Sequence, residues 1–342
     1  MRSSKRVPSR RRLLLALIAG VVVAGCSAPA EEPVSVPATD GPVAQQLKSA
    51  VSDAGAVVHL QALQRIADEN GGNRASPGPG YDASVDYVAG VLRAAGYQVD
   101  TPTYEGSRQR GTMRNVVAQT RTGSPDHVVV VGAHLDSVKE GPGIVDNGSG
   151  VAALLEIAKR LGPSAALRNA VRFAFFGSEE DGSQGSKAYV RGLSTEELGK
   201  ILLYLNVDMI ASPNGGYFAQ GGVGDDRSAS GPPGSATVAG VLAGQLKQTG
   251  VEPQIIEFVG DDESAFVEAG IPSGGAENGD RKRKSEPQAQ AWGGLADERY
   301  DPCYHRSCDR LDNVNQVVLS HYLDAIAGTV AHFATSATSN LR

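Results

Sequence analysis

The residues able to do chemistry cluster where apolar runs end. His134 and Asp136 close the run VVVVGA at 128–133. Asp146 follows in the glycine-rich stretch GPGIVDNGSG at 141–150. Glu179 and Glu180 follow VRFAFFGS at 171–178, and Asp208 follows ILLYLNV at 201–207. His305 lies late, inside CYHRSC at 303–308. Singly, each has a plain explanation: an Asp after a strand is often a turn former or helix cap, and a Glu pair is usually a solvated face. Together they put two imidazoles and a surplus of carboxylates where open α/β sheets carry their sites, at the C-terminal ends of strands. His with carboxylate suits a divalent metal such as zinc. One catalytic zinc needs three protein ligands and a water. Five or six candidates therefore favour two ions sharing a carboxylate.

The elements that must position these groups follow from periodicity. Residues 43–70 and 81–96 have helical spacing, separated by the breaker GGNRASPGPG at 71–80. Strands are expected at 98–104, 115–120 and 128–134. Beyond them helices (149–161, 184–191, 236–249, a turn at 264–269, 315–334) alternate with strands (170–176, 201–207, 254–258, 271–276). Such alternation implies an α/β domain with a largely parallel sheet covered on both faces. Residues 279–301 read as one long loop, and the basic run Arg281, Lys282, Arg283, Lys284 inside it as solvated.

The first 25 residues do not belong to that domain. A basic segment precedes an apolar run of thirteen at 13–25, short for a membrane span and normal for a signal sequence. Val23-Ala24-Gly25-Cys26 resembles a bacterial lipobox, which implies cleavage before Cys26 and lipidation of its sulfur. The chain then divides into a signal peptide (1–25), a lipidated Cys with a Pro- and Ser-rich tether (26–42) and a catalytic domain (43–342). Arg10-Arg11 leaves both the general secretory and the twin-arginine route open. Removing Arg2, Lys5, Arg6, Arg10, Arg11 and Arg12 from 32 basic residues leaves 26 against 38 acidic, a formal charge of −12. Nucleic acid is no partner for such a surface. Cys303 and Cys308, outside the cytoplasm on this reading, pair naturally as a local disulfide.

GAHLDS, GPGIVDNGSG, FGSEEDG, YLNVDMI with SPNGGYF, QAQAWGG and CYHRSCD, in this order, resemble the M28 family of di-zinc peptidases, in particular its Streptomyces-type aminopeptidases. The resemblance spans residues 60–334. It implies a three-layer αβα sandwich with a mixed, mostly parallel sheet, and two Zn²⁺ per chain. His134 and Asp208 would hold one zinc, Glu180 and His305 the other, and Asp146 would bridge them. Glu179 would be the general base. Asp136 would orient the His134 ring, Tyr304 would hydrogen-bond the developing oxyanion, and the Cys303–Cys308 disulfide would hold the Tyr304-His305 loop. The family's large apolar pocket would lie around Met209, Ile210, Ala211, Tyr217 and Phe218. The substrate would be a peptide with a free, apolar N-terminal residue, cleaved by a monomer tethered through Cys26 outside the cytoplasmic membrane. Some relatives bind Ca²⁺, for which this chain offers no clear counterpart residues.

The chain departs from that pattern at Gly260-Asp261-Asp262-Glu263-Ser264-Ala265-Phe266. There the family has Gly-Arg-Ser-Asp-His-x-x-Phe; Asp262 matches its Asp, Glu263 replaces its His, and no Arg is present. This unsettles side-chain preference rather than the metal ligands. Two other readings stay open: a zinc carboxypeptidase or N-deacylase, which needs a cationic group for a substrate carboxylate, and a non-catalytic binding lipoprotein. The complete ligand set weighs against the second of these and against a glutaminyl-cyclase-like reaction.

Overall fold

Residues 128–133 are four valines, a glycine and an alanine, a β-branched run that favours a fully buried strand. In the computed structural model, which describes residues 40–106, 111–222, 231–337 and 341, that run is the core of β5 (Ser124–His134). It lies between β6 (Asn169–Phe176) and β7 (Ile201–Val207), parallel to both. Parallel to β7 lies β10 (Ser273–Glu277). Outside this four-strand core run β1 (Gln98–Asp100) and β4 (Val116–Gln119) on one side, with β8 (Phe218–Gln220) and β9 (Gln254–Ile256) on the other. The order is β1-β4-β6-β5-β7-β10-β8-β9, with antiparallel pairings at β1–β4, β4–β6 and β10–β8. A separate hairpin joins β2 (Thr103–Glu105) to β3 (Thr112–Arg114).

Helices cover both faces. One face carries α1 (Pro42–Ala50), α2 (Asp53–Glu69), α3 (Pro79–Ala94), α4 (Gly148–Leu161), α7 (Ser235–Gln248) and α10 (Gln316–Thr335). The other carries α5 (Gln184–Gly192), α6 (Thr195–Lys200) and α8 (Glu263–Glu268). Side chains of β5 alternate between the two cores: Val129, Val131 and Ala133 join the larger, Val128 and Val130 the smaller. At roughly 1.5–3 kcal/mol per fully buried aliphatic side chain, such a strand is anchored from both sides. The result is a three-layer αβα sandwich with a mixed sheet and a parallel centre. α10 is apolar and long enough to cross a membrane, but 72% of it is buried, so it is a core helix of the sandwich.

Several local features depart from the sequence expectations. The helix expected over 43–70 is two helices, because Ser52 caps a new one by accepting the Gly55 N–H at 3.1 Å. The strand expected over 98–104 breaks at Pro102, which cannot donate to a ladder. The segment expected as a long loop holds α9 (Glu286–Trp292), started by a Ser285–Gln288 capping box with Pro287 in its first turn. α6, β3 and β8 are too short for periodicity to reveal. The expected signal peptide and Cys26 lie outside the described residues. Asp40, in the expected tether, is docked on the fold through Lys48 at 3.0 Å and Gln245 at 2.8 Å.

Candidate active site

Register brings the candidate residues to one sheet edge. His134 is the last residue of β5 and pairs with Phe176, the last of β6. Glu179 and Glu180 turn away just beyond β6, and Asp208 directly follows β7. Three non-glycine residues at this edge adopt left-handed backbone: Ser178 (φ 56°), Met209 (φ 45°) and His305 (φ 56°). Such conformations cost about 1–3 kcal/mol each and persist where the surroundings over-determine them. Here they aim Glu179, Asp208 and His305 into one space.

The two histidines face the two oxygens of one carboxylate. His134 Nε2 lies 3.2 Å from Asp146 Oδ1 and 3.3 Å from Asp208 Oδ1. His305 Nε2 lies 3.2 Å from Asp146 Oδ2 and 2.9 Å from Glu180 Oε2. A tetrahedral zinc with bonds of about 2.0 Å has ligand–ligand edges of ~3.3 Å. Each histidine–carboxylate set therefore fits the edges of one coordination shell, with Asp146 common to both. Glu180 Oε1 and Asp208 Oδ1 are buried with no hydrogen-bond partner among the described residues, which also suits a cation. The donor set, two imidazoles and three carboxylates, fits two zinc ions.

Other residues hold this arrangement. Asp136 stands 3.7 Å from His134 Nδ1, close enough for attraction and too long for a hydrogen bond. Its oxygens accept the Glu179 and Glu180 N–H groups at 3.0 and 3.4 Å, fixing the turn that carries both. Asn147 caps α4, accepts the Met209 N–H at 3.2 Å and donates to Val207 O at 2.8 Å, so it fastens the Asp146 loop to the Asp208 strand end. Asp309 accepts the N–H groups of Val145 at 2.8 Å and Asp146 at 3.0 Å. Arg74, fully buried, donates to the carbonyls of Leu135, Pro142 and Gly143 and so ties both ends of the loop. Gly143, at φ 64°, has no room for a side chain: a Cβ there would sit 2.4 Å from Asp146 O. Cys303 and Cys308 form a disulfide whose loop carries Tyr304 and His305, the two rings stacked with centroids 3.8 Å apart.

Burial and mutual repulsion set the electrostatics. Burial raises Glu179 well above the usual carboxylate range, reinforced by Asp262, Asp208 and Glu180 against the pull of His134. Burial and the neighbouring Asp146 push Glu180 up to about 7. Burial opposes charge on the histidines, yet Asp208, Asp136 and Asp146 hold His134 well above its ordinary value. In the same way Asp146 and Glu180 raise His305 to about 10. The nest therefore draws positive charge strongly. Burial, then Asp146, Glu180 and Asp208, raise Tyr304, which keeps its proton as a hydrogen-bond donor.

These groups line a cavity of about 350 Å³. Beyond the five metal-competent residues it is walled by Glu179, Asp261, Glu277, Asp280 and Tyr304, with Met209 and Val259 as its apolar surface. Of the expected apolar pocket, Ile210 and Ala211 are fully buried core, and Tyr217 nearly so. The basic run is not simply solvated, contrary to expectation. Arg281 and Lys282 line the cavity at its exposed rim. Lys284 is buried and donates to Gly215 O and Gly293 O, both at 2.9 Å. A long lysine stem with its ammonium capped by carbonyls needs no solvent.

Sequence reasoning missed Arg74, Asn147, Asp309 and Glu277. Asp309 ends the CYHRSCD motif and Asn147 sits beside Asp146, so position alone could have flagged them. Arg74 lies in a stretch whose Gly and Pro content reads only as a chain break.

Comparison with known proteins agrees with this geometry. Residues 115–330 match the description Peptidase family M28, a span that holds the five metal-competent residues together with Glu179 and Tyr304. The probable lipoprotein aminopeptidase LpqL of Mycobacterium tuberculosis is 46% identical over 262 residues, 72% of this chain and 52% of that protein. Leupeptin-inactivating enzyme 1 of Streptomyces exfoliatus is 42% identical over 317 residues, 92% of this chain and 69% of that protein. The chain thus spans about half the length of LpqL and about two thirds of the Streptomyces enzyme. Among solved structures, the aminopeptidase from Aneurinibacillus sp. strain AM-1 superposes with a TM-score of 0.66 at 16% identity, covering 86% of this chain and 97% of that one, a likeness of fold. Sequence, fold and site agree that this chain belongs to peptidase family M28.

Proposed function

We propose that this chain is an aminopeptidase that uses two zinc ions. The observation that carries the reading is the double facing of Asp146, one oxygen toward His134 and the other toward His305. His134, Asp146 and Asp208 would hold one ion; His305, Glu180 and Asp146 the other. Bound there, zinc supplies Lewis-acid polarisation of the scissile carbonyl and acidifies water. Glu179, beside the ligands but outside both histidine–carboxylate sets, takes the proton of the attacking water and passes it to the leaving amine. Tyr304 donates its O–H to the oxygen that gains charge. Glu179 and Asp208 offer negative charge to a free α-ammonium, which favours cleavage at the N-terminus.

The test is metal content together with turnover. Purified protein should hold two zinc per chain, cleave aminoacyl-p-nitroanilides and lose that activity on chelation. A zinc-loaded protein that hydrolyses no free-amine substrate would sink the reading.

A second reading, carboxypeptidase or N-deacylase, is favoured by one observation, the presence of Arg281 and Lys282 at the cavity rim. Against it, both are exposed, and four carboxylates outside the ligand set share the cavity with them. Cleavage of N-acetylated peptides would select this alternative.

The N-terminal segment further supports export and anchoring through a lipid on Cys26, in keeping with the name of the lipoprotein relative. Cys26→Ser should move the protein from the detergent phase to the aqueous phase.

A further inference from the structure

We infer that the side-chain pocket of this site selects a basic N-terminal residue, lysine or arginine, and that Glu277 is the specificity-determining residue. The inference rests on the aminopeptidase reading and narrows it. β7 and β10 are parallel, with Ala276 opposite Val207, so Glu277 and Asp208 emerge side by side from adjacent strands. A substrate whose α-amine sits against Asp208 therefore directs its first side chain along the wall formed by Glu277.

That wall is built for a cation. Glu277 is only 7% exposed, and Gln220 Nε2 fixes its Oε2 at 2.8 Å. No donor among the described residues reaches its Oε1, and the residue lines the cavity. Asp280 and Asp261 line the same cavity. Met209 and Val259 supply apolar surface for an alkyl stem. A second cavity of about 710 Å³ shares Val259, Glu277, Asp280 and Lys282 with the first and also carries Arg283 and Glu257 on its lining, so a long side chain has room.

The balance of charge points the same way. Two zinc ions would take up the charge of Asp146, Glu180 and Asp208, the three carboxylates that would hold them. Glu179, Asp261, Glu277 and Asp280 then face only Arg281 and Lys282. Four carboxylates against two cations on the cavity lining favour a substrate that brings positive charge on its side chain as well as on its α-amine. An apolar first residue leaves the buried Glu277 with no partner for its Oε1, which costs transition-state binding.

The experiment compares kcat/KM for the p-nitroanilides of lysine, arginine, leucine and glutamate with the zinc-loaded full chain. Lysine and arginine should exceed leucine about tenfold or more. Glu277→Gln should lower the lysine-to-leucine ratio about tenfold, and Asp280→Asn, nearer the rim, should lower it less. Free lysine should bind more tightly than free leucine by calorimetry, a readout independent of turnover. Preference for leucine or glutamate, or an unchanged ratio in Glu277→Gln, overturns the inference and leaves the aminopeptidase reading standing. Absence of turnover with all four substrates overturns both.

Discussion

Asp309 grips the backbone of Asp146 from beneath, accepting the N–H of Val145 at 2.8 Å and of Asp146 at 3.0 Å. The carboxylate that faces both histidines is thus aimed by a second carboxylate rather than by its own loop. Asp309→Asn keeps the size but supplies an amide that can accept with only one of its two positions. Groups behind metal ligands typically affect affinity 10–100-fold. We expect zinc affinity to fall by about tenfold or more, read by competition with a chelating dye. Unchanged affinity would show that the loop holds Asp146 unaided.

The two sets share Asp146 but differ in their other members. Asp208→Ala and Glu180→Ala should each reduce the zinc content from two to about one per chain. Asp146→Ala should weaken both positions. Elemental analysis of dialysed protein separates these outcomes. Equal losses in all three variants would contradict the division of ligands.

Glu179→Ala should keep its metal while kcat falls by about 10²–10⁴-fold, the usual share of a positioned proton acceptor. Zinc content and single-turnover rates must be measured on the same preparation. Retained turnover assigns the proton transfer to another group.

Arg74 carries its charge inside the fold and spends its guanidinium donors on main-chain carbonyls. Burial pulls its pKa down to about 10, against Asp136, Asp309 and Asp146, so it stays charged at neutral pH. Arg74→Met would leave the buried carbonyls of Leu135 and Pro142 unpaired, at about 1–3 kcal/mol each, while Gly143 O keeps the Gly148 N–H at 3.0 Å. Urea unfolding should show a loss of several kcal/mol, and Arg74→Lys should restore little of it, because an ammonium lacks the planar fork.

Acid should destabilise the protein through a residue far from the site. His59 is buried, with Nδ1 2.6 Å from the Tyr87 hydroxyl, and burial together with Lys159 lowers its pKa to about 4. The folded state therefore resists a proton that the unfolded chain accepts near 6.5. Its contribution is complete above pH 6.5 and is lost as pH falls from 6.5 toward 4, amounting to at most about 3 kcal/mol. The urea midpoint should drop over that window, and His59→Leu should flatten the slope. An identical slope in the variant would assign the acid sensitivity elsewhere.

Legibility differed between the residues that face the site and those that hold them. His134, Glu180 and Asp208 follow apolar runs, so strand periodicity places them at one edge, whereas Asp146 and His305 lie in loops and were legible only through the motifs GPGIVDNGSG and CYHRSCD that resemble the family. Asn147, Asp309 and Arg74 act through backbone contacts 60 or more residues away in sequence, and periodicity carries no trace of such pairings. Residues 279–301 failed for a different reason. A capped seven-residue helix is too short to display a repeat, and the burial of Lys284 depends on carbonyls from distant turns. The short strands β3 and β8 gain their identity from partners rather than from their own residues.

The segment beyond β10 also governs when the site can exist. His305 and the Asp309 clamp both arrive with the Cys303–Cys308 loop, and Gly141 packs against Arg306 O so closely that a Cβ would sit 2.1 Å away. The chain up to β7 delivers His134, Asp146, Glu180 and Asp208, but the second histidine and the grip on Asp146 come only with this segment. The core helix α10 follows directly after it. A chain cut before residue 303 would therefore lose a core helix together with His305 and Asp309, so closing the core and completing the site depend on the same stretch of polypeptide.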